Sequence, residues 1–307
     1  MYHDYDMKKI IDHISNTPKK KVILDTVTHA ETGDAFATTY ALTMDCVDVI
    51  ALSAAPTTCS PEKGMEQSYS DLLRIRDLIS PGVPCYRGAT EYMKNIISPV
   101  KSEAAENIVR LVNEADDIVY IVAMGAYTNV ASALLLDPSI ADKAVVILMA
   151  SAKAEPLNGD SYNMAIDRSA AHVILECGVP VIVNPAIENG YIPFMMSNGE
   201  TAYYLDRITN KIGKFLYQNM IDNNTTPIDK NGVSRLKFRP VFDLTTLSLF
   251  RLAGKIETVK TVPAYSLDSK GAKVNLNSGR KMLYISYIQR DEVISDFFTT
   301  IDRATLN

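Results

Sequence analysis

Residues 21–26 read KVILDT, a short apolar run with β-branched side chains that ends at a carboxylate and a hydroxyl. Five further runs of this kind follow along the chain, at 47–54, 83–89, 118–125, 144–150 and 180–185. Apolar runs without polar alternation are typical of strands that are covered on both faces. Segments with helical spacing lie between them, at 34–44, 64–80, 102–115, 128–136 and 167–177. This alternation predicts an α/β fold with a mostly parallel, Rossmann-like central sheet flanked by helices.

The pattern changes after about residue 190. A long helix is predicted at 199–221, followed by a polar loop at 222–235 and a helix from about 243 to 252. Two more strand-like runs, at 258–268 and 281–288, bring the predicted sheet to about eight strands. An amphipathic helix is predicted at 291–303. Because neither an internal repeat nor a linker is visible, we expect residues 1–307 to form a single domain.

The composition is that of a globular chain without basic clusters. The 307 residues are 47% hydrophobic and 22% charged, with a formal net charge of -5 and a pI near 5.5. A nucleic-acid interface needs Lys and Arg clustered on one face, so we expect no nucleic-acid partner. The tightest basic run, at 19–21, directly precedes an apolar strand and is interpreted as its solvated lead-in.

The cysteines and the apolar windows indicate a cytoplasmic location. The four cysteines are irregularly spaced without a CxxC pair, which favours reduced thiols over a disulfide framework or a zinc site. No window contains about 18 uninterrupted apolar residues, and the first residues lack the apolar core of a secretory signal. We therefore expect a cytoplasmic protein without a membrane partner.

Candidate site residues lie at the carboxyl ends of the predicted strands, because ligands bind beyond these ends in open α/β sheets. The first such turn contains Asp25, Glu31 and Asp34, and a later one reads GAYTN at 125–129. The glycine-rich phosphate motifs GxGxxG and GxxxxGKS/T are absent, as is the GxSxG elbow, which disfavours nucleotide cofactors and a serine nucleophile. His29 is the only histidine in such a turn.

The acids of the first turn support two interpretations. Like charges this close together need a cation or a shared proton, and a hard ion with oxygen ligands fits this requirement, Ca²⁺ before Mg²⁺. Alternatively, Asp25 and Asp34 cap backbone amides at the start of the following helix, where Asp is favoured. The turn alone leaves both interpretations open.

Several blocks of the chain follow one another in the order of a known family. The turn DTVTHAETGDAFA at 25–37 resembles the family turn DxDxG(xx)xDDA. Further similar blocks are VDVIALSAAP at 47–56, GMEQSYSDLLRIRDL at 64–78, PCYRGA at 84–89, SEAAENIV at 102–109, GAYTNVASALLLDP at 125–138, NMAIDRSAAHVILECGVPV at 163–181 and VFDL at 241–244. The chain thus resembles the inosine-uridine type nucleoside hydrolases over nearly its whole length, which implies a nucleoside hydrolase-like fold.

The resemblance implies hydrolysis of the N-glycosidic bond of ribonucleosides, in purine and pyrimidine salvage, by a homodimer or homotetramer. In that family an oxygen-ligated Ca²⁺ holds the 2′ and 3′ hydroxyls of ribose, and a carboxylate deprotonates a metal-bound water that attacks the anomeric carbon. Carried over by position, the resemblance implies metal ligation by Asp34, the Thr128 carbonyl and Asp243, substrate contacts from Asn163 and Asn158, and bracing of the turn by Asp25.

Two positions depart from the family turn in ways that affect the chemistry. Val27 stands where the family has the aspartate that ligates calcium and acts as base, and Gly33 replaces an acid that contacts ribose. Losing a general base alone typically lowers a rate by about 10²- to 10⁴-fold. The resemblance implies Ca²⁺ as the cofactor, and the replacement of a calcium ligand by Val27 is a reason for its absence. Glu31 and His29 are the candidate substitute bases in the same turn.

Three functions remain open at the level of the sequence. The first is a working N-ribosyl hydrolase with an altered metal site. The second is a catalytically impaired relative that binds ribose, a nucleoside or another small polyol without turnover. The third compares LDTVT at 24–28 with the acidic turn of haloacid-dehalogenase phosphatases, but Val27 again replaces the second aspartate. Tyr217 and Phe238 are interpreted either as base-stacking or as core residues.

Overall fold

A computed structural model describes residues 7–29, 32–57, 60–150, 162–185, 194–222, 238–252, 257–268, 273–276 and 278–304. Within these residues the central sheet has eight strands: β1 (Lys20–Thr26), β2 (Val47–Ala54), β3 (Cys85–Tyr86), β4 (Val119–Ala123), β5 (Ala144–Ala150), β6 (Val181–Pro185), β9 (Glu257–Pro263) and β12 (Lys281–Ile288). Two small sheets pair β7 (Met195–Ser197) with β8 (Phe238–Pro240) and β10 (Tyr265–Leu267) with β11 (Lys273–Asn275).

The order of the strands determines where a ligand is expected. The central sheet runs β3-β2-β1-β4-β5-β6-β12-β9, and only β9 pairs antiparallel with its neighbour. After β3 the chain crosses to the other side of β1 to form β4. The direction of winding therefore reverses between β1 and β4, and a crevice opens at the carboxyl ends of these strands. The predicted mostly parallel sheet of about eight strands is confirmed.

Helices cover both faces of the central sheet. They are α1 (Met7–Asn16), α2 (Thr32–Thr43), α3 (Pro61–Ile79), α4 (Glu103–Glu114), α5 (Thr128–Leu136), a 3-10 turn (Pro138–Asp142), α6 (Tyr162–Ile166), α7 (Arg168–Glu176), α8 (Asn198–Leu205), α9 (Lys211–Asp222), α10 (Leu244–Leu252) and α11 (Arg290–Arg303). Several begin with a side-chain cap: the Ser102 hydroxyl, for example, accepts a hydrogen bond from Ala105 N at the start of α4, a contact that typically contributes about 1 kcal/mol.

The core has two layers, one on each side of the sheet. Strand β1 alternates between them, because Val22 and Leu24 belong to the layer under α2, α3, α10 and α11, whereas Ile23 belongs to the layer under α4, α5 and α7. Burial of apolar surface in both layers supplies the main stabilisation. Helix α2 is buried at every position from Thr32 to Ala41, so it has no polar face and its sequence shows little helical periodicity.

Three elements differ from the sequence-based expectations. Helix α1 was not predicted, although Met7, Ile10 and Ile14 recur at the spacing of one helix face and are buried. The predicted helix at 199–221 is divided into α8 and α9. The predicted strand at 258–268 is divided after Pro263, whose ring removes the backbone N–H that would continue the ladder.

None of the helices in the described part of the chain is both long enough and apolar enough to span a bilayer.

Candidate active site

The turn after β1 lies at the reversal of the strand order. Asp25 pairs in register with Ser53 of β2 on one side and with Ala123 of β4 on the other. The backbone carbonyl of Asp25 accepts a hydrogen bond from Met124 N at 2.8 Å, and that of Thr26 accepts one from Ala55 N, also at 2.8 Å. The two neighbouring strands thus fix the start of the turn.

Asn129 joins the ends of β1 and β2. Its Nδ2 donates to Asp25 Oδ1 at 2.8 Å and to the Ala54 carbonyl oxygen at 3.1 Å. Its Oδ1 accepts from Ala89 N at 2.7 Å and from the Ser102 hydroxyl at 3.3 Å. The fully buried amide therefore uses its complete hydrogen-bonding capacity on four separate segments. The sequence indicated Asn129 only as part of the polar GAYTN turn, because its partners lie far away along the chain.

The position of Asn129 explains the glycine in PCYRGA. A Cβ atom on Gly88 would overlap the Ala54 carbonyl oxygen and lie 2.5 Å from Asn129 Nδ2. Only a residue without a side chain allows the 88–89 backbone to approach this closely.

Asp25 lies in a low-dielectric environment. It is fully buried, and its Oδ2 has no hydrogen-bond partner among the described residues. Burial raises the pKa of the carboxyl from 3.8 to about 7, and the hydrogen bond from Asn129 offsets part of this increase. The neighbouring Ser53 hydroxyl is also buried without a described partner.

Asp34 closes the turn from its other end. The buried carboxylate stands in the first turn of α2, and its Oδ1 accepts hydrogen bonds from the Thr26 hydroxyl and from Val27 N, the latter at 3.2 Å. Asp34 therefore binds donors that precede the helix. A carboxylate in the first helical turn is also favoured by the helix dipole.

Val27 makes an apolar contact inside the turn. Its side chain is 7% exposed. A Cβ atom on Gly125 would lie 2.6 Å from Val27 Cγ1 and 2.9 Å from Ala55 Cβ, so Gly125 packs closely against both residues. The isopropyl group of Val27 thus lies beside Gly125, just beyond the end of β4.

The other predicted site residues gather around the ends of β4 and β5. Asn163 Nδ2 donates to the carbonyl oxygens of Met124 at 2.8 Å and Met149 at 3.1 Å. Asp243 is buried just before α10, where its carbonyl oxygen accepts from the Thr246 hydroxyl and from Thr246 N. Thr246 also contacts Met124 Sδ at 3.4 Å. Asn163 and the start of α10 therefore meet at Met124.

Thr128 begins α5 and is fully buried. Its hydroxyl donates to Asp167 Oδ2 at 2.7 Å, and the same oxygen accepts from Met93 N at 2.9 Å. Asp167 Oδ1 caps α7 by accepting from Ala170 N at 3.0 Å. In the sequence Asp167 belongs to the block at 163–181, and no local pattern indicates that its side chain connects three segments.

His29 lies in the turn after β1 and contacts α3. Its Nδ1 lies 3.1 Å from Asp71 Oδ2. Glu31 and Asn158, the remaining predicted site residues, lie outside the described residues, and Tyr217 lies partly exposed on α9. For Phe238, only its place at the start of β8 is described.

The described side chains do not fit a calcium site of the family type. Ca²⁺ takes about six to eight oxygen ligands, several of them from carboxylates. Within the described ranges no group of three or more His, Cys, Asp or Glu side chains could hold a metal ion. Val27 contributes methyl groups, Gly33 contributes no side chain, and Asp34 Oδ1 already accepts two hydrogen bonds within the turn.

Comparisons with known proteins agree with this architecture. The family model for inosine-uridine preferring nucleoside hydrolase matches residues 22–251. A pyrimidine-specific ribonucleoside hydrolase RihA of Klebsiella pneumoniae is 26% identical over 178 residues, which cover 49% of this chain and 55% of the relative. A protein of the same name from Escherichia coli O1:K1 is 26% identical over 176 residues, with the same coverage. The chain thus spans about half the length of the curated relatives it matches.

Solved structures share the fold over most of the chain. A purine-preferring ribonucleoside hydrolase from Gardnerella vaginalis superposes with a TM-score of 0.73 at 22% identity, covering 92% of this chain and 98% of that chain. An inosine-guanosine nucleoside hydrolase superposes with a TM-score of 0.72 at 18% identity, covering 94% and 99%. At these identities the superpositions establish the fold alone.

Proposed function

The chain belongs to the inosine-uridine preferring nucleoside hydrolase family, and from this membership we propose that it hydrolyses the N-glycosidic bond of ribonucleosides. The observation that carries the proposal is the family match across residues 22–251, which includes the turn after β1 and the start of α10. The substrates of the family are ribonucleosides. The named relatives include pyrimidine-specific and purine-preferring enzymes, so the proposal specifies the riboside and not the base.

The proposed roles of the retained residues follow from charge and position. Asn163 and Asn158 contact the sugar. Asp34 and Asp243 supply negative charge at the crevice, which stabilises a transition state in which positive charge develops on the ribose ring. Asp25 braces the turn through Asn129.

A calcium ion does not enter the proposed steps. Members of the family typically use a divalent metal, often Ca²⁺, but the described residues do not fit one. The proposal therefore requires that a group of this chain accept the proton of the attacking water. His29 and Glu31 are the candidates in the turn after β1.

A second candidate function is binding of ribose, a nucleoside or another small polyol without turnover. The apolar contact of Val27 with Gly125 favours it, because Val27 stands where the family base is expected. The two candidates share a binding site and differ in whether a bond is broken.

One assay separates the two functions. The wild-type protein is incubated with purine and pyrimidine ribonucleosides, with and without Ca²⁺, and released ribose is measured as reducing sugar. Nucleoside binding is measured in parallel by calorimetry. Hydrolysis predicts ribose release without added Ca²⁺, at a rate about 10²- to 10⁴-fold below that of a relative with an intact base. Binding without ribose release would instead support the second candidate, and neither signal would reject both.

The remaining expectations of the sequence are also proposals. We propose that the chain forms one domain, assembles as a homodimer or homotetramer, and acts in the cytoplasm in purine or pyrimidine salvage. Light scattering coupled to size-exclusion chromatography measures the assembly state, and a monomer across the micromolar range would contradict the proposed assembly.

A further inference from the structure

His29 and Asp71 form a histidine–carboxylate pair next to the candidate active site. His29 Nδ1 and Asp71 Oδ2 are 3.1 Å apart. The His29 side chain is 43% exposed and the Asp71 side chain 19%. An ionised carboxylate can only accept, so Nδ1 carries the hydrogen and neutral His29 presents Nε2 as an acceptor. No described residue forms a hydrogen bond with Nε2.

The backbone of the turn is fixed to the same helix that carries Asp71. The Thr28 hydroxyl donates to the Ser68 carbonyl oxygen at 3.1 Å, and His29 N donates to the Ser68 hydroxyl at 3.4 Å. Ser68 and Asp71 lie three residues apart on α3, and therefore on one face of the helix. The imidazole is thus held both through its backbone and through its ring.

The other described histidines occupy different places in the fold. His13 lies on α1 and pairs with Asp117, which precedes β4 at the amino end of the sheet. His172 lies on α7 and pairs with Glu176 at 3.2 Å. Among the histidines that the structure describes, His29 alone follows the carboxyl end of a central strand, two residues after Val27, which replaces the family base.

We propose that His29 is the general base of this chain and that Asp71 is its positioning residue. The inference rests on the proposed hydrolysis of ribonucleosides. His29 Nε2 accepts a proton from water while the water oxygen forms a bond to the anomeric carbon. The bond from that carbon to the base nitrogen breaks, and its electron pair stays on the nitrogen, which takes up a proton from solvent. His29 then releases its proton to solvent, so the net reaction consumes one water and yields ribose and free base.

Charged side chains of α3 face His29. Asp71 lies beside the imidazole, and Arg74 of the same helix lies 3.6 Å from Asp71 Oδ1. Both charges lie in a partly exposed setting, where salt screens them. Glu31 belongs to the same turn and lies outside the described residues. Because a protonated imidazole cannot accept a proton, we expect the rate to fall at acidic pH.

The test measures kcat and KM for ribose release as a function of pH in the wild type and in His29→Gln, Asp71→Asn and the double variant. We expect His29→Gln to lower kcat by about 10²-fold or more, with little change in KM. Asp71→Asn should lower kcat less than His29→Gln does, because the imidazole is then present but no longer held by the carboxylate. The double variant should match His29→Gln, because Asp71 acts only through His29.

His172→Gln is the matched control, since it removes an imidazole that also pairs with a carboxylate but lies on α7. It should leave kcat and the pH profile unchanged. Thermal melting and nucleoside affinity show whether each variant folds and binds. Added imidazole should restore part of the activity of His29→Ala.

The outcomes distinguish this inference from the proposed function. Ribose release by the wild type with an unchanged kcat and pH profile in His29→Gln would overturn the role of His29 and leave the hydrolase function intact. Equal losses in His29→Gln and His172→Gln would also overturn it, because the loss would then be structural. A wild type that binds nucleoside without releasing ribose would overturn both.

Discussion

Asp25→Asn removes a buried titratable group while keeping the shape of the turn after β1. The amide oxygen of the new side chain can accept the hydrogen bond that Asn129 Nδ2 now donates to Asp25 Oδ1 at 2.8 Å. Its NH₂ group takes the place of Oδ2, which has no described partner and lies beside the strand neighbour Ser53. The variant should therefore fold, and its stability should depend on pH differently from that of the wild type.

The magnitude follows from the pKa of Asp25. Burial raises this pKa from 3.8 to about 7, and at about 1.36 kcal/mol per pKa unit the difference corresponds to an upper limit of about 4 kcal/mol. Between these two values the folded protein keeps a proton that the unfolded chain has released. The stability that this proton provides is complete below pH 3.8 and is lost as the pH rises through about 7. The asparagine of the Asp25→Asn variant does not titrate, so the stability of this variant does not decrease in this way as the pH rises.

Urea denaturation at several pH values between 4 and 8 measures the effect. The free energy of unfolding of Asp25→Asn, minus that of the wild type, should increase with pH and become constant above about pH 7. Asp137→Asn is the control: hydrogen bonds from Ser139 and Asn113 lower the pKa of the Asp137 carboxyl below 3.8, so its contribution is lost only at more acidic pH, and its difference from the wild type should stay nearly constant between pH 4 and 8. A constant difference between Asp25→Asn and the wild type across this range would refute the assignment of a buried, titrating carboxyl.

Other substitutions test the turn and its surroundings. Val27→Asp with Gly33→Asp should make the melting temperature depend on Ca²⁺, with about 2.7 kcal/mol of stabilisation at 100 times the Kd, whereas calorimetry and melting of the wild type should show no such response. Gly88→Ala should lower the free energy of unfolding in urea by about 1–3 kcal/mol through overlap with Ala54 and Asn129. Gly82→Ala, with open space around its Cβ, should change it by less than about 0.5 kcal/mol. Asn163→Ala should raise KM in the ribose-release assay more than it lowers kcat.

The sheet could be predicted because its strands are buried on both faces. The runs at 118–125 and 144–150 contain almost no polar residues, and the run at 21–26 has them only at its two ends; in the structure β1, β4 and β5 lie in the middle of the sheet. The short edge strand β3 covers only two residues of the run at 83–89, since an edge position requires less continuous pairing. The N-terminal helix was missed, although its apolar residues lie on one face that packs on the core.

Only those parts of the candidate site whose residues are neighbours in the sequence could be predicted. The acids of the turn after β1 and the polar GAYTN segment are visible as motifs in the sequence. Asn129 bonds to Asp25 across 104 residues, and Asp71 bonds to His29 across 42. Such contacts depend on which strands and helices become neighbours, so a single sequence carries no signal for them. The fold had to be known before either residue could be assigned a role.

In the turn after β1, folding and metal binding place different requirements on the side chains. Each carboxylate that it retains in the described residues has its own donors: Asn129 for Asp25, and the Thr26 hydroxyl with Val27 N for Asp34. A carboxylate at position 27 would lie beside Gly125, which offers no side-chain donor, and would add negative charge near Asp34. Two like charges this close need a cation or a shared proton. Valine removes this requirement, so the turn needs no metal ion for its stability, and the proposed hydrolysis then requires another residue to accept the proton.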